Sequence, residues 1–324
     1  MTYSSIFKIF LFIFINTTIT SLRVKNNRKP NGRTLRSARR EEQCIISSRN
    51  NNIYCNSQAN LFIKGNNFLN DKKLITISPG GYKGFYLLGI LSYIKEKYET
   101  DHLIYSGASA GAWNGLFMCY KGDPMSFVYN ILDYNITNTK SITELEYFLK
   151  YKLLSSYKTD DFDLRRLFIG VTTIKYFAPS TNIFSDFETL EDAINCCFAS
   201  SHIPFITGGL TNKYHNMFTF DGGFSKYPYL DKEKLVHISP SMWEELEPNK
   251  KTPICNGVKR SILSIKKYSE FFSISKNNLL ELFDDGYQDA KNNKSYLDTM
   301  FTPKYDNELI RPNSSHDEMG GIEI

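Results

Sequence analysis

Gly107-Ala108-Ser109-Ala110-Gly111 sets a serine between two glycines, with the apolar run Leu103-Ile104-Tyr105 before it and an apolar helical pattern after it. A serine at that spacing is what a nucleophile elbow needs. The chain turns sharply from strand to helix, the serine takes a strained conformation, and a larger flanking side chain would collide with its neighbours. The hydroxyl is then held out near the positive end of the following helix. Five small residues also fit a plain turn, but the strand before and the helix after favour the elbow. A nucleophile of this kind requires a base, oxyanion donors and a pocket for the acyl group.

Pro79-Gly80-Gly81 follows the β-rich run Leu74-Ile75-Thr76-Ile77-Ser78. Its glycine N–H groups, unobstructed by side chains, suit a developing oxyanion, where one donor is typically worth ~3–4 kcal/mol of barrier. A glycine loop after a strand can instead cradle a phosphate. Neither full nucleotide-binding glycine pattern is present, and no acidic residue is placed to hold a ribose, so the oxyanion reading is preferred. Asp221, between Met217-Phe218-Thr219-Phe220 and Gly222-Gly223, is the candidate base, although Asp-Gly is also an ordinary hairpin turn. The five histidines are His102, His202, His215, His237 and His316. His237 follows Asp221 in the order of a Ser-Asp-His triad. It lies inside Leu235-Val236-His237-Ile238, where a core or edge histidine is the simpler reading. A Ser–Asp dyad needs no histidine, because the carboxylate takes the hydroxyl proton and returns it to the leaving group.

Strand patterns are expected at 74–78, 103–106, 167–174, 217–220 and around 262–265. Leu87, Leu91, Ile94 and Tyr98 recur at helical spacing, and the helix after Ser109 runs through Leu116 and Cys119 until Gly122-Asp123-Pro124 stops it. Ser141 to Glu144 has a capping-box pattern opening a helix to about Leu154, Thr189 is a second cap, and 279–287 is a further helix. Strands alternating with helices predict an α/β fold with a mostly parallel central sheet flanked by helices, its glycine loops gathered at one edge.

The 324 residues are 41% hydrophobic and 23% charged, ordinary for one large globular domain with additions. The net charge of +5 is concentrated near the N-terminus, and basic residues are not interleaved with aromatics, so a nucleic-acid partner is not expected. The six cysteines, Cys44, Cys55, Cys119, Cys196, Cys197 and Cys255, have no metal-ligand spacing. Cys119, Cys196 and Cys197 are expected as buried thiols, and Cys44 and Cys55 can pair if the chain is exported. Residues 6–15 are apolar apart from Lys8, the length of a signal-peptide core. Eight basic residues from Arg23 to Arg40 follow, with no acid before Glu41. A cleaved signal, a signal before an organelle transit segment and an uncleaved tether all fit; the secretory pathway or a membrane is expected, with organelle targeting as the alternative. Asn135, Asn293 and Asn313 are glycosylation acceptors only in an exported chain. The expected organisation is a targeting segment or tether at 1–22, a basic linker without stable structure at 23–70, a catalytic domain at 71–235 and a C-terminal extension at 236–324.

From about residue 73 to 231, the motifs in this order resemble the patatin-like phospholipases, the family of plant patatins and the adipose triglyceride lipase and adiponutrin group. Gly80-Gly81-Tyr82-Lys83-Gly84 is similar to the family's glycine-rich loop, and Gly107 to Gly111 to its nucleophile motif. Asp221-Gly222-Gly223-Phe224 with Pro228 resembles its dyad motif, and Ile203-Pro204-Phe205 the approach to it. The resemblance implies a three-layer architecture and hydrolysis of a phospholipid or acylglycerol ester through an acyl-Ser109 intermediate. Asp221 would be the base, and Gly80, Gly81 and Tyr82 the oxyanion hole. It implies no metal or cofactor, and a membrane or lipid-droplet lipid as the partner; no protein partner is indicated. One departure is Pro79, where the family has glycine: it lacks an N–H, so the hole has one donor fewer if that position donates. A transacylase or a Ser-Asp-His esterase using His237 is the alternative within enzymes, and a catalytically silent lipid-binding protein the alternative outside them. Specificity is expected to reside in the inserts at about 123–165 and 239–324.

Overall fold

Side chains along a buried strand point alternately to the two faces of the sheet, so a central strand needs a cover on each side. The computed structural model describes residues 57–133, 136, 138–175, 178–224, 228–244 and 278–304. In chain order its main elements are helices α1 (Ser57–Gly65) and α2 (Asn67–Asn70), strand β1 (Lys73–Ile77), helix α3 (Gly84–Lys97), strand β2 (Leu103–Gly107) and helices α4 (Ala110–Cys119), α5 (Pro124–Ile131) and α6 (Ile142–Ser156). Strands β3 (Leu167–Lys175) and β4 (Ala178–Phe184) follow, then helix α7 (Leu190–Ser200), strands β5 (Asn212–Tyr214), β6 (Met217–Phe220) and β7 (Lys234–Ile238), and helices α8 (Leu279–Asn292) and α9 (Lys294–Met300). The seven strands form one mixed, mostly parallel sheet in the order β5-β6-β3-β2-β1-β7, with β4 on the other edge of β3. The fold is α/β with helices flanking the sheet, compatible with three layers.

The alternation sorts the core into two. Ile75, Ile77, Leu103, Tyr105, Leu167, Ile169 and Val171 face the larger cluster with the buried residues of α3, α4 and α7. Leu74, Ile104 and Phe168 face a smaller one, closed by Ala59, Leu69 and Leu230. The segment up to Asn70, expected to lack structure, therefore contains two helices in its last part. Its physical reason is burial: Leu69 is fully buried, worth about 1.5–3 kcal/mol for a leucine. Only Ala59, Phe62 and Ile63 of α1 and Leu69 of α2 carry that contact, too few to stand out within a polar, Asn-rich stretch.

Several local expectations hold. α4 ends at Cys119, ahead of Gly122-Asp123-Pro124, Ser141 accepts from Glu144 N at 3.1 Å to open α6, and Thr189 accepts from Asp192 N at 3.1 Å to open α7; Asp123, read only as a stop, also caps α5. The Glu144 carboxylate returns to Lys140 N at 2.7 Å, one residue before the cap. Cys119, Cys196 and Cys197 are buried free thiols. The helix expected at 279–287 extends to Asn292 and packs on α3, with Tyr86 Oη donating to Asp289 at 2.6 Å and Tyr287 Oη to Glu96 at 2.6 Å. The expected boundary at 235 falls inside β7, which pairs in parallel with β1. Residues 302–304 of the C-terminal extension are docked: Glu99 N donates to Thr302 O and Lys304 N to Lys97 O, each at 2.9 Å. Among the described residues, no helix is long and apolar enough to cross a membrane. The apolar N-terminal segment, the basic run, Cys44, Cys55, Cys255, Asn135, Asn313 and the strand expected near 262–265 lie outside the described residues.

Candidate active site

Three strands meet to build the site. β2 runs parallel to β3 and ends with Gly107 beside Ile169. β6 runs antiparallel to β3 and ends with Phe220 beside Thr172. Since β4 occupies the whole opposite edge of β3, from Ile169 to Lys175, β2 and β6 lie along one edge and run toward each other. Ser109 follows one C-terminal end and Asp221 the other, so both emerge at the junction, over Gly170 and Val171.

The turn after β2 has the elbow geometry. Ser109 sits at φ 54° and ψ −127°, in left-handed space that a non-glycine residue enters only when its surroundings impose it. Those surroundings are close. A Cβ on Gly107 would lie 2.1 Å from Gly111 O, and one on Gly111 would lie 2.2 Å from Ile77 O. The Ser109 N–H is not turned to the site, because it donates to Ser200 Oγ at 2.8 Å. Ser200 Oγ in turn donates to Gly170 O at 2.7 Å, tying α7, the elbow and β3 together.

Asp221 is 5% exposed and held through its backbone as well as its carboxylate. Its N–H donates to His202 O at 2.7 Å, and Thr172 Oγ1 donates to its carbonyl at 2.8 Å. The carboxylate accepts from Gly223 N–H at 2.6 Å and from the Ser109 hydroxyl. Burial pushes its pKa up to about 6, and the hydrogen bonds from Ser109 and Gly223 restrain that rise. His237 is elsewhere. It pairs with Thr76 across β1 and β7, with its Nδ1 2.8 Å from Thr76 Oγ1. The buried His202 touches the dyad through its main-chain carbonyl, while its Nε2 has no partner.

The glycine loop lies between β1 and α3. Gly80 is extended at φ −165°, Gly81 takes φ 53°, and Gly81–Lys83 make one 3₁₀ turn closed by Lys83 N to Gly80 O at 3.0 Å. Asn114 clamps this loop to the elbow, its Nδ2 donating to Gly84 O at 3.0 Å and to Ala110 O at 2.9 Å. Gly81, Gly84, Ser109 and Ala110 line one cavity. Gly80 and Tyr82 are not part of its wall: Tyr82 is fully buried, and Lys83 is exposed on the far side beside Tyr86 and Trp243. The ring of Pro79 packs on the Asp221 turn, since a Cβ on Gly223 would lie 3.2 Å from it. A proline here supports the base in place of donating an N–H.

The cavity has an internal volume of about 100 Å³. Beyond the elbow, its wall is Phe85, Leu88, Leu116, Phe117, Phe127 and Ile131 with Ile142, Leu145, Leu149 and Leu153 of α6. Polar groups on it are few: Ser109, Asn114, Ser201, Trp113 and Glu146. Glu146 is 4% exposed, and burial pushes its pKa well above the usual carboxylate range, against hydrogen bonds to Ser201 and Trp113. Among the described residues, no group of three or more His, Cys, Asp or Glu side chains is placed to hold a metal.

Ser200, Asn114, Trp113 and Glu146 were not singled out in the sequence. For Glu146 a signal existed: it interrupts the stripe Ile142, Leu145, Leu149, Leu153 at a position that shares the apolar face. For Ser200 there was none, since a small polar residue at a helix end is ordinary. The arrangement amounts to a serine hydroxyl at a strained turn, a buried carboxylate of raised pKa and a glycine loop at the head of an apolar cavity. No protein-family model and no curated protein matches the chain.

Proposed function

We propose that this protein is a serine lipid acyl hydrolase working through a Ser109–Asp221 dyad. The observation that carries the reading is the hydrogen bond from Ser109, strained at its elbow, to buried Asp221 at the head of an apolar cavity. Ser109 Oγ attacks the ester carbonyl and Asp221 takes its proton. The oxyanion is held by backbone N–H groups of the glycine loop around Gly81 and of Ala110, the residue after the nucleophile. Asp221 returns the proton to the departing alcohol, leaving acyl-Ser109. Water, activated by the same carboxylate, then releases the acid. The apolar wall favours a fatty acyl chain over a peptide or a small polar acid. The order and content of the motifs, which resemble those of patatin-like phospholipases, support the same reading. The substrate is then the ester of a membrane phospholipid or of an acylglycerol.

Acyl release from phospholipid vesicles and from a triacylglycerol emulsion tests it. Ser109→Ala and Asp221→Asn are each expected to lose activity by roughly a thousandfold or more, while His237→Ala keeps most of it. A histidine variant that stays folded and loses activity would replace the dyad with a triad. A fluorophosphonate probe that leaves Ser109 unlabelled would point to the silent lipid-binding protein.

A further inference from the structure

At the opposite end of the sheet from Ser109, a second cavity of about 440 Å³ lies where β2 and β3 begin and where α3 and α4 end. Two of its wall residues are cations almost closed off from solvent, Lys95 at 5% exposure and Arg166 at 4%. Buried charges are normally paired, because desolvation is costly. Lys95 has no carboxylate within ion-pair reach among the described residues. One of its three ammonium protons goes to Met118 O at 2.8 Å, and the ring of Phe117 lies 6.0 Å away. Burial, and after it the charge of Arg166, lower its pKa to about 8. Arg166 Nη1 donates to Thr100 O at 2.8 Å and to Leu103 O at 3.4 Å. Its Nε is 3.3 Å from Asp163 Oδ2 but out of line for a hydrogen bond, and its Nη2 has no partner among the described residues. Asp163 is shared, since its Oδ1 accepts from Arg165 Nε at 3.0 Å. Lys121 and Lys304 add two exposed cations to the wall. Each spends one proton on a carbonyl, Lys121 on Asp160 O at 2.7 Å and Lys304 on Lys95 O at 2.8 Å. Lys95 and Lys304 thereby cap the last turns of α4 and α3 and offset the negative helix ends there. The remaining acids of the wall, Glu99 and Asp101, stand at exposed positions without an ion pair among the described residues. Positive charge with unused N–H groups is thus buried in the wall, and negative charge lies toward solvent.

We propose that this cavity binds the phosphomonoester of a small polyol, a ligand with the size and polarity of a sugar phosphate. The phosphate pairs with Lys95 and Arg166, whose unused N–H groups supply charge-assisted hydrogen bonds. Glu99 and Asp101 accept from the hydroxyl groups of the polyol. The volume lies in the ordinary range for small-molecule sites and exceeds what a bare phosphate fills. Tyr120 and Pro124 are the only rings on the wall, so a polar ligand body fits it better than an apolar one. No residue is shared with the acyl cavity, and the inference stands independently of the hydrolase reading.

The test is isothermal titration calorimetry of the full chain at low salt, where charge pairing is least screened, with glucose 6-phosphate, inorganic phosphate and glucose. Glucose 6-phosphate is expected to bind with a Kd below about 1 mM, phosphate at least about threefold more weakly, and glucose not at all. Lys95→Met, which keeps the length of the side chain and removes its charge, should weaken the sugar phosphate about tenfold or more. Lys121→Glu, at an exposed position, should weaken it at least about threefold. Should Lys95→Met not fold, Lys121→Glu decides alone. Wild type that shows no saturable binding up to about 10 mM overturns the proposal. Binding that the folded variants leave unchanged overturns it too, as does glucose binding as tightly as its phosphate. Inorganic phosphate binding as tightly as the sugar phosphate overturns the polyol ligand. Phosphatidylcholine vesicles with and without phosphatidylinositol 4-phosphate separate the two sources of such a group. Extra co-sedimentation that glucose 6-phosphate reverses assigns the site to a lipid headgroup, and soluble binding without it assigns the site to a free metabolite; both support the proposal.

Discussion

Replacing Asp221 by Asn should abolish catalysis and stabilise the fold, in a way that depends on pH. In the folded protein the carboxyl's pKa is raised from 3.8 to about 6, chiefly by burial. The folded state therefore holds this proton more tightly than the unfolded chain. Its contribution to stability is fully present below about pH 3.8 and is lost as pH rises through about 6. At pH 8 the ionised, buried carboxylate costs about 3 kcal/mol relative to its neutral form, taking 1.36 kcal/mol per pKa unit. Asn cannot ionise, and its Oδ1 still accepts from the Gly223 N–H that Asp221 accepts from at 2.6 Å. Asp221→Asn should thus match the wild type near pH 4 and exceed it by about 3 kcal/mol at pH 8. For a domain of this size that is roughly 6–10 °C in Tm. The assay is thermal or denaturant unfolding of both proteins at several pH values, with acyl release measured on the same samples. A stability difference that stays flat from pH 4 to pH 8 refutes the reasoning, and so does a variant less stable than wild type at pH 8. Either outcome would mean that Asp221 is solvated or paired, and that the site stores no strain in its base.

The same carboxylate must be ionised to accept the Ser109 proton, so kcat/KM should fall below an acidic limb near pH 6, read from initial rates across pH. Ser200→Ala removes the acceptor for the Ser109 N–H and frees Gly170 O. A loss of about 1–3 kcal/mol in stability is expected, with a fall in kcat larger than any change in KM. Gly111→Ala would force a Cβ to within 2.2 Å of Ile77 O, so that β1 or the elbow must move. Denaturant unfolding should show a loss of roughly 3 kcal/mol or more, with acyl release lost alongside it.

The chemistry was legible along the chain wherever a local rule writes it. Gly107 precedes Ser109 because the elbow's own backbone leaves no room for a Cβ there, whereas at Gly111 it is Ile77 O of β1 that leaves none; caps at Ser141 and Thr189 answer to N–H groups three residues on. Asp221 stood out because Gly222 and Gly223 follow it directly. Short, nearly continuous β-rich runs announced β1, β2 and β3 as strands, and helical spacing announced α3, α4 and α8. The short strands β4 and β5 and the helices α1 and α2 carry too few apolar residues to show a period.

Long-range closure settled everything else. Ser109 and Ser200, 91 positions apart, are joined by one hydrogen bond, and nothing near either residue in sequence encodes it. The meeting of Ser109 and Asp221 depends on β6 running back along the edge of β3 toward β2, a pairing that either strand pattern alone leaves open. His237 has the chain order of a triad, yet β7 pairs it with Thr76 instead. Pro79 reads as a lost oxyanion donor in the chain and as a support for the Asp221 turn in the fold. The serine, its carboxylate and the glycine loop are properties of short stretches, because strained turns and caps are decided by neighbouring residues. Their assembly into a single site, and the burial that raises the pKa values of Asp221 and Glu146, exist only once distant strands and helices exclude water together.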